Sequence, residues 1–202
     1  MPSAPLFQPA PWTLFNTPIL SATLRLLARG VFRMLGWRFD GEFPPQLRQA
    51  VVIGAPHTSN WDLPYMLMAS LALGQKMHWL GKAQIFRFPF GGLMRWMGGI
   101  AVDRSRSNHL VEAAVACFAE REQPLLLVVP PEGTRSAVER WKTGFYYIAL
   151  GAQVPIVMAY MDHSSKTCGV SQLFHPSGDL EADMASIRGY YAPFRGWAHR
   201  RD

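Results

Sequence analysis

A histidine and an aspartate five positions apart, His57 and Asp62, stand in the segment Pro56-His57-Thr58-Ser59-Asn60-Trp61-Asp62. On one continuous helix that spacing puts the two side chains on different faces. With His57 in a loop and Asp62 in the first turn of the next helix, the carboxylate can accept a hydrogen bond from one imidazole nitrogen. Such a bond fixes the tautomer and leaves the other nitrogen free as a general base. None of His78, His109, His163 or His175 has an acidic residue five positions on. A structural reading fits the same residues. Ser59-x-x-Asp62 resembles a capping box with a shortened acid, and aspartate in a first turn favours the helix dipole.

A second segment, Val129-Pro130-Pro131-Glu132-Gly133-Thr134-Arg135-Ser136, follows the apolar run Leu125–Val129. Prolines stop a strand, and Gly133 lets backbone come close to a ligand. Thr134, Arg135 and Ser136 supply donors suited to a phosphate, and Glu132 can hold the loop or pair with an arginine. A turn with a solvated arginine is the plainer alternative. In Gly98-Gly99-Ile100-Ala101-Val102-Asp103-Arg104, an arginine again ends a short strand, as an anion ligand or as part of a solvated basic loop. The start of the run Val154-Pro155-Ile156-Val157 reads as core.

The surrounding elements decide whether these segments can meet. Strands are expected at Ala50–Gly54, Met77–Gly81, Ile100–Val102, Leu125–Val129 and Val154–Tyr160, with Val170–Phe174 as an edge strand. Helices are expected at Pro18–Leu35, Ser59–Leu73, Asn108–Glu122, Thr143–Gly151 and Asp179–Tyr191, with a short one inside Phe88–Gly98. Strand–helix alternation argues for an α/β layered fold, a single domain with a mainly parallel sheet flanked by helices. In such folds ligands bind outside the carboxyl ends of the strands, and both motif segments directly follow strands. The first helix is apolar with a basic stripe, Arg25, Arg29 and Arg33. It suits either a membrane interface, with arginines at the headgroups, or ordinary packing on the core.

The chain has 202 residues, 49% hydrophobic and 17% charged, with a net charge of +6. That balance excludes a disordered chain and allows one domain with a substantial core. Net positive charge suits phospholipid headgroups, nucleic acid or phosphorylated metabolites without choosing among them. Cys117 and Cys168 form no CxxC pair and read as reduced thiols. Five prolines interrupt the uncharged stretch Met1–Leu24, which also lacks the basic start of a signal peptide, so neither a spanning helix nor a leader is expected.

Taken in order, the four segments resemble the glycerophospholipid acyltransferase family that includes 1-acylglycerol-3-phosphate acyltransferases. That family carries an HxxxxD block, a glycine-to-arginine block, a PEGTRS block and a VPI/VPV block. They match His57/Asp62, Gly98–Arg104, Pro131–Ser136 and Val154–Val157 across roughly residues 50 to 160. Pro130 stands where the family usually has Phe, and Ala101 where it has a bulkier residue. The resemblance implies acyl transfer from acyl-CoA or acyl carrier protein to the hydroxyl of a lysolipid acceptor. His57 would take the hydroxyl proton and Asp62 would orient it. Arg135, Arg104 and Lys82 would hold an anionic group, with Glu132, Gly133, Thr134 and Ser136 shaping that site. Lys142 is a further anion-binding candidate or a surface lysine. Residues 1–40 would form a proline-rich segment and a membrane-docking helix, and 41–202 the acyltransferase domain. The expected location is the cytoplasmic face of a membrane, peripheral or monotopic. Neither a metal nor a cofactor is expected.

Other chemistries find little support. The basic residues are scattered and no nucleic-acid motif is present. Gly81-Lys82 lacks the spacing of a phosphate-binding loop, with Ala83 where a serine or threonine belongs. No Gly-x-Ser-x-Gly elbow and no HExxH or paired-cysteine metal motif occurs. A thioester or lipid hydrolase using the same His57/Asp62 pair, and a lipid-binding protein without turnover, remain the alternatives.

Overall fold

The computed structural model describes residues 7–17, 19–56, 59, 61–102, 107–132 and 141–194. Helix α1 (Leu20–Met34) leads into strands β1 (Arg38–Asp40) and β2 (Gln49–Ala55). Then come α2 (Asp62–Leu73), β3 (Met77–Lys82), a 3-10 turn (Ala83–Phe86), α3 (Gly91–Trp96) and β4 (Gly99–Val102). The chain continues through α4 (Ser107–Glu120), β5 (Leu125–Val128), α5 (Gly144–Ala152), β6 (Ile156–Asp162), β7 (Thr167–Phe174) and α6 (Leu180–Tyr191). The result is the expected α/β domain, with a mainly parallel sheet flanked by helices and preceded by an N-terminal helix.

Among the described residues the sheet has seven strands in the order β1-β7-β6-β2-β5-β3-β4. Every neighbouring pair is parallel except β6 and β7. Strands β2 and β5 are covered on both faces, which is why they read as apolar runs rather than as alternating patterns. The sequence reading missed β1, which has three exposed residues and no periodicity to detect. It exists because β7 offers it a template, Arg38 pairing with Thr167 and Asp40 with Gly169. Beyond Gly169, β7 runs on past β1, so Val170–Phe174 forms the expected edge.

The crossovers run in two directions. From β2 the chain passes through α2 and lands beyond β5, on β3. From β5 it passes through α5 and lands on the other side of β2, on β6. Parallel crossovers are right-handed, so opposite steps put the two helices on opposite faces. The packing agrees. Leu63, Met66 and Leu67 of α2 pack with Val52, Trp79 and Val128, while Phe145, Tyr146 and Ile148 of α5 pack with Val51, Ile53 and Leu127. A fully buried side chain among these, such as Phe145, Val51 or Leu127, contributes about 1.5–3 kcal/mol of apolar burial.

Helix α1 packs on α2 through Ala28 and Phe32, against Ala69 and Ala72. Two arginines of its stripe serve that contact. Arg29 Nε donates to the Ala72 carbonyl at 2.8 Å, and the Arg25 guanidinium lies against Gly74. Both bring positive charge to the carboxyl end of α2, where the helix dipole favours it. The outward side leaves Leu26 72% and Met34 82% exposed. No helix among the described residues is long and apolar enough to cross a membrane. Cys117 and Cys168 are free thiols, as expected.

Candidate active site

Strand register sets how the motif loops meet. Val52 of β2 pairs with Val128 of β5, Trp79 of β3 pairs with Val128, and Gly99 of β4 pairs with Trp79. These four residues form one row across the sheet. Counting from that row along each chain in the carboxyl direction, Lys82 lies three residues on, Glu132 four, and His57 and Arg104 five. With neighbouring strands about 4.8 Å apart, the four loops begin within roughly 14 Å of one another along one edge. The gap between β2 and β5 is also where the crossovers change direction. An α/β sheet opens its ligand crevice at such a switch point, outside the carboxyl ends of the strands. The strands that lead into the His57/Asp62 and PEGTRS segments, β2 and β5, border that switch point.

Asp62 is the first residue of α2, as the spacing required. Its Oδ2 accepts the backbone N–H of Ser59 at 2.8 Å, and Ser59 Oγ accepts the N–H of Trp61 at 3.2 Å. The acid is thus held by the turn that connects it to the His57 loop. His57, Arg104, Gly133, Thr134, Arg135 and Ser136 lie outside the described residues, while the elements that launch them are described. Lys82 ends β3, exposed, and precedes the 3-10 turn.

Glu132 is only 8% exposed, which suits a loop-holding role better than a solvated turn. The two ends of the PEGTRS loop are tied together, with the Lys142 N–H donating to the Pro131 carbonyl at 2.8 Å. Lys142 therefore stands at the stem of this loop. The loop's entry is fixed to the neighbouring strand by Val129 N–H, which donates to the Val52 carbonyl at 2.9 Å. The Val154–Val157 block sits at the opposite end of the sheet, where Val51 N–H donates to the Pro155 carbonyl at 3.0 Å. Its valines and isoleucine are buried, so it acts as core.

Sequence reasoning missed one support of the crevice. Tyr191, on α6, donates its hydroxyl between the carbonyls of Ile53 (2.8 Å) and Ala159 (2.9 Å), bridging β2 and β6 just before β2 ends. Burial, helped by the neighbouring Tyr190 and Glu132, pushes its phenol well above the usual range, so it stays a donor. Trp141, just past the PEGTRS loop, packs edge-on to Tyr191 at 5.4 Å. A single tyrosine far along the chain carries no sequence signal that would reveal this. An open groove of about 600 Å³, lined by Asp40, Tyr160, Tyr190 and Phe194 among others, lies between β7 and α6. Among the described residues, Asp62, Lys82 and Glu132 do not line it, and the candidate site is the crevice at the switch point.

The Acyltransferase family model matches residues 38–162. The chain is 28% identical to the 1-acyl-sn-glycerol-3-phosphate acyltransferase of Salmonella typhimurium over 126 residues, which are 59% of this chain and 49% of that protein. It is 31% identical to the mouse 1-acyl-sn-glycerol-3-phosphate acyltransferase alpha over 160 residues, 71% of this chain and 53% of that one. The chain thus spans about half the length of these relatives. The crystal structure of the 1-acyl-sn-glycerophosphate (LPA) acyltransferase from Thermotoga maritima shares the fold, with a TM-score of 0.56 and 16% identity over 85% of this chain and 76% of that one.

Proposed function

The chain belongs to the acyltransferase family whose model spans residues 38–162, and from that premise we propose that it transfers a fatty acyl group from a thioester donor to the hydroxyl of a lysophospholipid. The observation that carries this reading is the register. The strands that precede the HxxxxD, PEGTRS and Arg104 segments end, with Lys82, along one edge of the sheet at the switch point, which supports the reading.

In this reading His57 takes the proton of the acceptor hydroxyl as its oxygen attacks the thioester carbonyl carbon. The tetrahedral intermediate collapses, the C–S bond breaks, and the imidazolium returns the proton to the departing thiolate. Asp62 orients His57 and stabilises its charged form. General-base catalysis of this kind is worth about 10²–10⁴-fold. Arg135, Arg104 and Lys82 hold the acceptor's phosphate, an anion that suits their forked and point charges. Glu132, Gly133, Thr134 and Ser136 shape that pocket. No covalent acyl-enzyme is needed. The donor is acyl-CoA or acyl carrier protein, and 1-acylglycerol-3-phosphate or a related lysolipid is the acceptor.

The same reading places the protein at the cytoplasmic surface of a membrane, where acceptor and product reside. Helix α1 docks there through Leu26, Leu27 and Met34, all exposed. The test is to incubate the protein with acyl-CoA and a panel of lysolipids and identify products by mass. A diacyl product formed from one lysolipid supports acyl transfer and names the acceptor. Free fatty acid with no acylated lipid overturns it in favour of hydrolysis.

A further inference from the structure

Between Asp62 and Asp103 the chain carries no acidic residue, although it carries Lys76, Lys82, Arg87 and Arg95. Within that stretch, the segment joining β3 to β4 is turned outward. Only Phe86 and Gly91 are buried between Lys82 and Leu93. Phe88 is 98% exposed and Phe90 62% exposed, with Ile85 and Leu93 also exposed. Scattered apolar residues on a surface need no explanation, but four in nine residues, two of them aromatic and flanked by arginines, do. Phe86 fixes their position. Its ring packs with Trp79 at 5.9 Å, and a Cβ on Gly81 or Gly99 would meet it at 2.8 Å. Arg95 lies over the same ring at 5.4 Å. The anchor is inside, so the phenylalanines beyond it face solvent on a firm base.

We propose that the Ile85–Leu93 segment is a second membrane contact, in which Phe88 and Phe90 enter the headgroup region of an anionic bilayer while Arg87 and Arg95 meet its phosphates. Bulky apolar side chains flanked by arginines, on a stretch of chain without acidic residues, are the chemistry of an interfacial anchor. The segment lies on the same side of the sheet as α1. Phe86 and Met94 pack in one cluster with Leu63, Met66 and Leu67 of α2, and the far side of α2 carries α1. One membrane plane can therefore touch both. The segment begins at Lys82, on the catalytic edge, so this contact brings the lipid surface beside the anion-binding loops. A short path from bilayer to crevice spares the acceptor's acyl chain from crossing water. The proposal rests on the membrane-surface reading above and adds a docking element to it.

The test is co-sedimentation of the full chain with vesicles of phosphatidylcholine and phosphatidylglycerol. It compares the parent, F88S/F90S, F88W/F90W and an α1 variant, L26S/L27S. The expected result is that F88S/F90S binds about tenfold or more weakly with an unchanged melting temperature, while F88W/F90W binds as well as the parent. If F88S/F90S binds within twofold of the parent while L26S/L27S does not, the second contact is wrong and docking through α1 stands. If no variant differs, or the parent does not bind, both fail. A dimer of the parent in the absence of lipid that F88S/F90S dissociates would overturn the proposal by assigning the patch to a second copy of the chain.

Discussion

Val52 of β2 and Val128 of β5 are register partners, and the next amide, Val129 N–H, donates to the Val52 carbonyl at 2.9 Å. Five residues past one and four past the other stand His57 and Glu132. The strands leading to the proposed general base and to the proposed anion-binding loop are thus hydrogen-bonded neighbours.

Asp62 holds the turn through its bond to Ser59 and has a proposed role in the chemistry, and two substitutions separate the two. Asp62→Asn keeps an oxygen for the Ser59 N–H bond of 2.8 Å but loses the charge. Its acyl transfer should fall by about 10²-fold, with a melting temperature near the parent's. Asp62→Ala also loses the turn contact and should cost a further ~1 kcal/mol of stability in urea unfolding. Equal activity in Asp62→Asn and the parent would remove Asp62 from the reaction.

Lys82 at the end of β3 should act on binding rather than on the chemical step. Lys82→Ala should raise KM for a phosphate-bearing acceptor about tenfold, the worth of a charge-assisted hydrogen bond, with kcat within about twofold. Steady-state kinetics over a range of salt checks it, because the parent's KM should rise with ionic strength more steeply than the variant's.

Tyr191→Phe removes the hydroxyl that bridges the Ile53 and Ala159 carbonyls. The buried carbonyls lose one shared donor, so stability should fall by about 1–3 kcal/mol. Loosening the end of β2 should also lower kcat several-fold without moving KM. Denaturant unfolding and steady-state kinetics on one preparation measure both.

Buried His78, on the strand that ends at Lys82, should make the fold sensitive to acid. Burial first, then the charges of Lys76 and Arg121, lower its pKa from 6.5 to about 4, against a weak opposing pull from the Gly98 backbone. Neither ring nitrogen has a well-aligned hydrogen-bond partner. As pH falls from 6.5 towards 4, the unfolded chain takes up a proton that the folded chain refuses. Stability is therefore lost through that window, by about 3 kcal/mol once it is crossed, and is unaffected above it. His78→Leu should flatten the dependence, read as a smaller drop in melting temperature between pH 7 and pH 4.5 than the parent shows.

Much of this was legible before any coordinates. Runs such as Leu125–Val128 are buried on both faces, so composition alone marks them as inner parallel strands. Motifs directly behind such strands had to lie on the carboxyl edge. The spacing from His57 to Asp62 required a loop followed by a first helical turn, and Asp62 does begin α2. What escaped depends on partners distant in sequence. Strand β1 forms only because β7 lies beside it, and Tyr191 matters only because α6 returns across β2 and β6. The arginine stripe of α1 hid a division of labour for the same reason. Arg25 and Arg29 were visible as a period of four, but not the helix end they would meet.

The most direct test of the central claim compares His57→Ala with the parent, measuring lysolipid-dependent thiol release from acyl-CoA at saturating substrate. A general base at the β2/β5 crevice predicts a fall in kcat of about 10²–10⁴-fold, with the folded state and acceptor binding unchanged. Release at the parent's rate in His57→Ala would contradict the account and move the chemistry elsewhere in the molecule.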